Sequence, residues 1–317
     1  MELLFASILF LIGLGLIVKG GDLFVDAAVW IARASGMPQF LIGATIVSIA
    51  TTMPELVVTS LAAIHGNMEM AIGNAVGSVT ANTGLILGIS VVMLPIAIAR
   101  RQFLFKGLLL LLSCCVLTFL CRDGSLTLAE SGIMLGLFAL FFVENILHAR
   151  AQAGAQTTAM RLHPGRREIA GNLFFFLVGA ISLVVGSRLL VDNGELLAIA
   201  LGVPTRIIAI TLVAIGTSLP EFVTAITALV KRQGSMSVGN ILGANLIDIT
   251  IILPLCSILS HDALPLSASS SMVDLPIMLA EVGIAVIPTI FLRRFTRLQG
   301  LCMVALYCCY LTYSITM

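Results

Sequence analysis

Runs of about 20 apolar residues, parted by short polar turns, recur from one end of the chain to the other. They cover roughly residues 3–30, 40–64, 70–98, 103–121 and 126–147, then 169–196, 205–230, 236–259, 273–292 and 298–316. A helix of that length crosses a hydrocarbon core of ~30 Å. In lipid each backbone polar group must find its partner within its own segment, so the pattern predicts membrane-spanning helices. Two of the runs are interrupted in the same way. Thr-Thr-Met-Pro-Glu at 51–55 and Thr-Ser-Leu-Pro-Glu at 217–221 each place hydroxyls, a proline and a carboxylate where a plain span would stay apolar.

The two interruptions belong to a longer correspondence. Displaced by 166 residues, the chain matches itself at about 25 of 76 positions between residues 13 and 88. Gly20 pairs with Gly186, Asp26 with Asp192, Gly36 with Gly202, Pro38 with Pro204, Thr45 with Thr211, Glu55 with Glu221, and Gly73-Asn74 with Gly239-Asn240. Identity of that extent over a fixed period marks duplication. The predicted organisation is a first five-helix repeat over 1–147, a polar linker over 148–168, and a second five-helix repeat over 169–317.

Five helices per repeat is an odd number, so the second repeat must enter the membrane the opposite way round. Basic residues give the orientation. With the N-terminus outside, the cytoplasmic loops take Arg33, Arg100, Arg101, Lys106, Arg150, Arg161, Arg166, Arg167, Lys231, Arg232, Arg293, Arg294 and Arg297, and the outer loops only Arg122 and Arg206. The expected fold is an all-α integral membrane protein of ten transmembrane helices, two inverted-topology repeats, with both termini outside. The start, Met-Glu-Leu-Leu-Phe, lacks a basic region and a small-residue cleavage site and reads as a retained first helix.

Composition sharpens this. The chain is 59% hydrophobic and 10% charged, with mean hydropathy +1.12, where soluble domains carry roughly 25% charged residues. A net charge of +1 without a basic tract gives no nucleic-acid partner; the surroundings are a lipid bilayer. The seven cysteines sit in or beside apolar runs without zinc-ligand spacing and read as small packing residues. No HExxH motif is present, and no enzymatic activity or cofactor is expected.

Carboxylates inside spans are costly, about 2.5–3.5 kcal/mol each on insertion scales. Glu55, Glu221 and Asp248 fall mid-span without a nearby lysine or arginine in sequence. Pro54 and Pro220 lack an amide hydrogen, which is expected to release carbonyls near Ser48 and Ala214. Thr51, Thr52, Thr217 and Ser218 stand beside these breaks, and Ser78, Asn82 and Asp248 lie on the third helix of each repeat. The set is all oxygen, which suits hard cations. Calcium takes 6–8 oxygens in a flexible cage, and single hydroxyls and carbonyls around one shared carboxylate suit sodium.

The paired stretches resemble the two alpha-repeats of the sodium/calcium exchanger family, within the wider cation/calcium antiporter superfamily. The resemblance rests on GTSLPE with GNILGANLID in the second repeat and ATTMPE with GNAVGSVTAN in the first. The compact length resembles prokaryotic members, implying the plasma membrane, which is the inner membrane of such a cell. It implies sodium/calcium exchange by alternating access, with calcium and sodium as transported ions. Glu55 and Glu221 would be the central shared ligands. Thr51 and Thr217 would add calcium contacts; Thr52, Ser78 and the Ser48 carbonyl an inner sodium site; Ser218 and the Ala214 carbonyl an outer one; Asn82 and Asp248 would flank the centre. The first helix of each repeat would be the pair that slides. Two positions depart from the pattern: Ala244 stands where the family often has serine, and Ala50 where Gly216 keeps glycine. Proton-coupled or potassium-dependent calcium antiport therefore stays open beside sodium coupling. A channel would assemble around an axis from several subunits, whereas this chain carries its own repeat, so a single copy is expected to be the working unit.

Overall fold

The computed structural model describes residues 2–155, 165–202, 214–260, 263–267 and 270–316. Pro204, Arg206, Thr211 and residues 156–164 of the expected linker, including Arg161, lie outside them. The described chain is almost entirely helical: α1 Glu2–Ser35, α2 Gln39–Thr51, α3 Met53–Ile64, α4 Met68–Met93, α5 Arg100–Leu120, α6 Leu128–Ala155, α7 Arg166–Ala200, α8 Ala214–Thr217, α9 Leu219–Val230, α10 Gly234–Ser260, α11 Ser270–Leu292 and α12 Arg297–Thr316. Seven helices among the described residues are long and apolar enough to cross a membrane, or eight when the bent pair α2 and α3 counts as one span. The all-α, multi-span class expected from the sequence is present.

The 166-residue spacing reappears in the element bounds. α3 begins at Met53 and α9 at Leu219, each with proline in its first turn. Met68–Ala81 and Gly234–Ile247 are both 14-residue α-segments. Each runs into a π-helical turn, Asn82–Leu87 and Asp248–Ile252, that hydrophobic periodicity does not signal. Gly36 and Gly202 close α1 and α7 with positive φ, the left-handed turn that glycine adopts without a Cβ clash. Two short backbone bridges also follow the spacing. Ala97 pairs with Arg294 beside the start of α5; β1 (Ser125–Leu126) pairs antiparallel with β2 (Leu264–Pro265) beyond its end. A helix of 21 residues separates them by ~30 Å, so the two bridges lie at opposite ends of the bundle.

Burial divides the helices into centre and rim. In α4 and α10, 72% and 83% of the most apolar window is buried, against 17–44% in α1, α5, α6, α7 and α11. The rim turns large apolar side chains outward, among them Phe5, Leu11, Phe119, Phe174, Ile181 and Phe291, as lipid-facing helices do. α1 and α7 run antiparallel along each other. A Cβ on Gly20 would come within 2.6 Å of Ser182 Cβ, and one on Gly179 within 2.7 Å of the Phe24 nitrogen; the missing side chains let the two backbones approach. The same device joins α2 to α10, where Gly239 lies against the Phe40 carbonyl and Gly43 against that of Met236.

One charged residue corrects a sequence expectation. Lys106, counted with the loops, is buried inside α5 and pairs at 2.5 Å with Glu144, mid-helix in α6. Lys231, at the end of α9, takes Asp26 at 2.8 Å and Asp22 at 3.3 Å, and donates to the Asp22 carbonyl at 3.0 Å. That pairing joins positions about two hundred residues apart, because α1 packs against α9.

Candidate functional site

The two breaks face each other at the centre. α2 ends at Thr51 and α3 starts at Met53, with a 45° bend between them and Thr52 at φ −81°, ψ −2°. Ser218 has the same bridge-region backbone, φ −87°, ψ 8°, between α8 and α9. In each case the proline follows two residues on, where its missing N–H lies in a helix's first turn and costs nothing. The carboxylate after it, Glu55 or Glu221, points inward and is at most 1% exposed. Asn82 and Asp248 open the two π-turns and are equally buried.

Hydrogen bonds cross between the halves in repeat-related pairs. Thr51 Oγ1 donates to Asn240 Oδ1 at 3.2 Å, and Thr217 Oγ1 to Asn74 Oδ1 at 3.3 Å. Thr52 Oγ1 reaches Glu221 Oε1 at 3.2 Å. Its repeat mate Ser218 is 3.4 Å from Ser78 Oγ and stands beside Glu55. Glu55 is within electrostatic reach of Glu221 and Asp248. The structure thus brings together Thr51, Thr52, Glu55, Ser78, Thr217, Ser218, Glu221 and Asp248, with Asn82 on the same central helix as Ser78.

Two candidates need correction or stay unseen. The Ser48 carbonyl is not released by the break. It accepts the Thr52 N–H at 2.9 Å and the Thr52 hydroxyl at 2.7 Å. The carbonyl deprived of its donor by Pro54 is four residues upstream, at Ala50. Ala214 begins α8 at the edge of the described residues, and its surroundings lie outside them. Asn74 and Asn240, not among the candidate ligands, are the cross-half partners of the two threonines. The signal was their identity at the 166-residue spacing.

The electrostatics of the centre are one-sided. Glu55 Oε1 and Oε2, Glu221 Oε2, Asp248 Oδ1 and Oδ2, and Asn82 Oδ1 are six buried acceptor oxygens with no hydrogen-bond donor. Leaving one such group unpaired costs about 1–3 kcal/mol, and more when it is charged. Buried unpaired oxygens of this kind are acceptors that a cation can use. Among the described residues no three His, Cys, Asp or Glu side chains converge closely enough to hold a metal by themselves. A cation held here would need neutral oxygens beside the carboxylates.

The two approaches to this centre differ. A cavity of about 330 Å³, lined by Pro54, Ser187, Arg188, Asp192, Gly216 and Thr217, leads to the Thr217 side. At the repeat-related place on the other side, a cavity of about 290 Å³ lies between Asp22 and α9, and the Lys231 pair with Asp22 and Asp26 ties α1 to the end of α9 beside it. The antiparallel register of α1 and α7 sets these two places roughly 15 residues apart along the pair, ~22 Å.

Comparison with known proteins decides the family. The model of the sodium/calcium exchanger protein family matches residues 5–147 and 171–316. The chain belongs to the sodium/calcium exchanger family. Within it, the chain is 33% identical over 263 residues to the inner membrane protein YrbG of Escherichia coli, covering 81% of each. It is 29% identical over 355 residues to the sodium/calcium exchanger MaX1 of Methanosarcina acetivorans, covering 96% of this chain and 97% of that one. The solved structure of the sodium-calcium exchanger NCX_Mj, soaked with sodium and strontium, superposes with TM-score 0.83 at 28% identity, over 98% of this chain and 99% of that one. As a member of this exchanger family the chain is a multi-pass membrane antiporter of cations.

Proposed function

We propose that this chain exchanges sodium for calcium through one central site, exposed to each side of the membrane in turn. The observation that carries the reading is the cluster of six unpartnered acceptor oxygens on Glu55, Asn82, Glu221 and Asp248. Thr51 and Thr217 brace the two breaks through Asn240 and Asn74. Thr52, Ser78 and Ser218 offer hydroxyls that rotate toward a monovalent ion beside the same carboxylates. Glu55 and Glu221 are the shared ligands, so both cargoes compete for the same oxygens.

Ten spans as two inverted five-helix repeats, with both termini outside and one copy sufficient, complete the proposal. It is supported by the 166-residue spacing of the element bounds and by the two backbone bridges at opposite ends of α5. α1 and α7 are the moving pair, sliding on a seam of small residues.

The test is calcium-45 uptake into proteoliposomes loaded with sodium, for wild type and Glu55→Gln. Uptake down the sodium gradient in wild type alone is the expected result; no uptake in wild type overturns the reading. A second reading, proton-coupled antiport, is favoured by one observation. Ser218 finds its hydroxyl partner in Ser78, and Ala244 supplies no hydroxyl at the mirrored position. Uptake driven by a pH gradient, with none from sodium, would select it.

A further inference from the structure

Glu281 is a buried carboxylate that the exchange reading does not use. It stands midway along α11, fully buried, and neither Oε1 nor Oε2 has a hydrogen-bond donor. Among the described residues no lysine, arginine or histidine pairs with it. α4, α5 and α12 pack against α11, and their titratable groups bring it no counter-charge. α12 places Tyr307 beside it. α5 has Cys114 on its buried face, and its Lys106 is held by Glu144. α4 carries only Glu69, exposed in its first turn. On α11 itself Asp274, two turns away, accepts from the Tyr310 hydroxyl. The remaining cysteines of α5 and α12 are exposed, as are Arg100, Arg101 and Arg297 at the helix starts.

The carboxyl rests against the first of the two central π-turns. A Cβ on Gly84 would lie 2.8 Å from Glu281 Oε1 and 2.8 Å from Tyr307 Cβ. The glycine therefore makes room for the acid against the backbone of Asn82–Leu87. π-turns are rare single-turn insertions, found mostly at functional sites. This one opens on Asn82, whose Oδ1 is among the orphan acceptors of the centre. The second repeat lacks the arrangement. The counterpart of Gly84 is Thr250, whose hydroxyl returns to the Leu246 carbonyl, and the counterpart of Glu281 is the exposed Cys115. Acid and glycine thus occur together in one repeat only.

We propose that Glu281 is a proton-binding site, separate from the cation site, whose occupancy holds the π-turn that carries Asn82. The ligand follows from the chemistry. A lone carboxylate offers two oxygens, against the roughly 6–8 that calcium takes, whereas a proton needs one. Protonated, the side chain is neutral and fits the dry slot beside Gly84. Proton loss leaves an unpaired charge there, which an apolar interior tolerates poorly, and it draws in water or pushes the turn away. The direction is fixed by this. The packed turn belongs to neutral pH and is lost as the pH rises through the titration of the site. Proton competition at Glu55 and Glu221 acts at the acid end, so the two effects separate.

The experiment joins a spectrum to a pH profile, both on the full chain. Infrared difference spectra of the detergent-purified protein, wild type minus Glu281→Gln, should show a protonated-carboxyl band at neutral pH that fades at alkaline pH. In sodium-loaded proteoliposomes, raising the pH on both sides by about two units above neutral should lower wild-type calcium-45 uptake at least ~5-fold, and uptake by Glu281→Gln, which keeps the neutral shape, less than ~2-fold. Glu281→Asp, still an acid, should keep the fall. A difference spectrum without the band overturns the proposal. So does an alkaline fall as steep in Glu281→Gln as in wild type. Wild-type uptake that stays level as the pH rises overturns it too, and that result needs no variant to fold. The profile rests on the exchange reading and the spectrum does not: a chain that shows the band but carries no calcium keeps this proton site and loses that reading.

Discussion

Asn74 and Asn240 occupy equivalent places in the two repeats and accept the same kind of bond, yet only one is fully partnered. Asn74 accepts from Thr217 and donates its amide to Thr59 at 2.8 Å. Asn240 accepts from Thr51, while its amide nitrogen is buried without a partner, because the counterpart of Thr59 is Ala225. The same imbalance runs through the site. Ser78 faces Ser218 where the mirrored residue is Ala244. Asn245 donates to Thr83 at 2.8 Å, a link that Val79 and Ile249 cannot make in the mirrored position. Asn82 is answered by Asp248. Backbone and main ligands keep the duplication, and the hydroxyls and amides around them have diverged. Symmetry therefore holds at the two breaks and their carboxylates, and asymmetry lies in the polar groups around them.

The harshest way to probe this comparison is to remove the shared ligands one at a time. Glu55→Gln and Glu221→Gln should each lower calcium uptake by ~100-fold or more, about 2.7 kcal/mol, with the fold retained on size-exclusion chromatography. Either variant keeping a tenth of wild-type uptake would show that the carboxylates are not equivalent. Thr59→Ala makes the first repeat resemble the second by stripping Asn74 of its amide partner. A loss of about 1–3 kcal/mol of stability is expected, seen as a lower melting temperature in detergent; an unchanged midpoint would mean the Asn74 amide finds another acceptor.

Subtler changes test coupling and access. Ala244→Ser supplies the missing hydroxyl and should lower the sodium concentration for half-maximal exchange by roughly 3–10-fold, a hydrogen-bond-sized effect, with Ser78→Ala moving it the other way. No response to either would remove these hydroxyls from the sodium shell. Lys231→Gln should have the smallest effect, since partly exposed ion pairs contribute about 0–1 kcal/mol. Faster deuterium uptake in residues 22–35, by up to ~5-fold and fading at high salt, is the expected signature.

Much of this was legible beforehand. Proline beside hydroxyls and a carboxylate located both breaks because the chemistry of a helix break is local. The repeat spacing carried the element bounds because duplication copies them. What could not be read depended on contacts between distant segments. Lys106 with Glu144, and Lys231 with Asp22 and Asp26, are pairings made only when helices pack. The Ser48 carbonyl was misjudged because Thr52 folds its own hydroxyl back onto it, a local option of threonine that competes with ion binding. The π-turns at Asn82 and Asp248 leave no trace in hydrophobic periodicity.

The six orphan oxygens have a consequence for the transport cycle as a whole. Sealing the centre from both faces with no cation inside would strand several carboxylate charges away from water, at several kcal/mol each. In the exchange cycle proposed above, the empty carrier would thereby be hindered from crossing over. Each passage would then be loaded, and the leak that would dissipate the gradient would be suppressed by the same atoms proposed to recognise the ions.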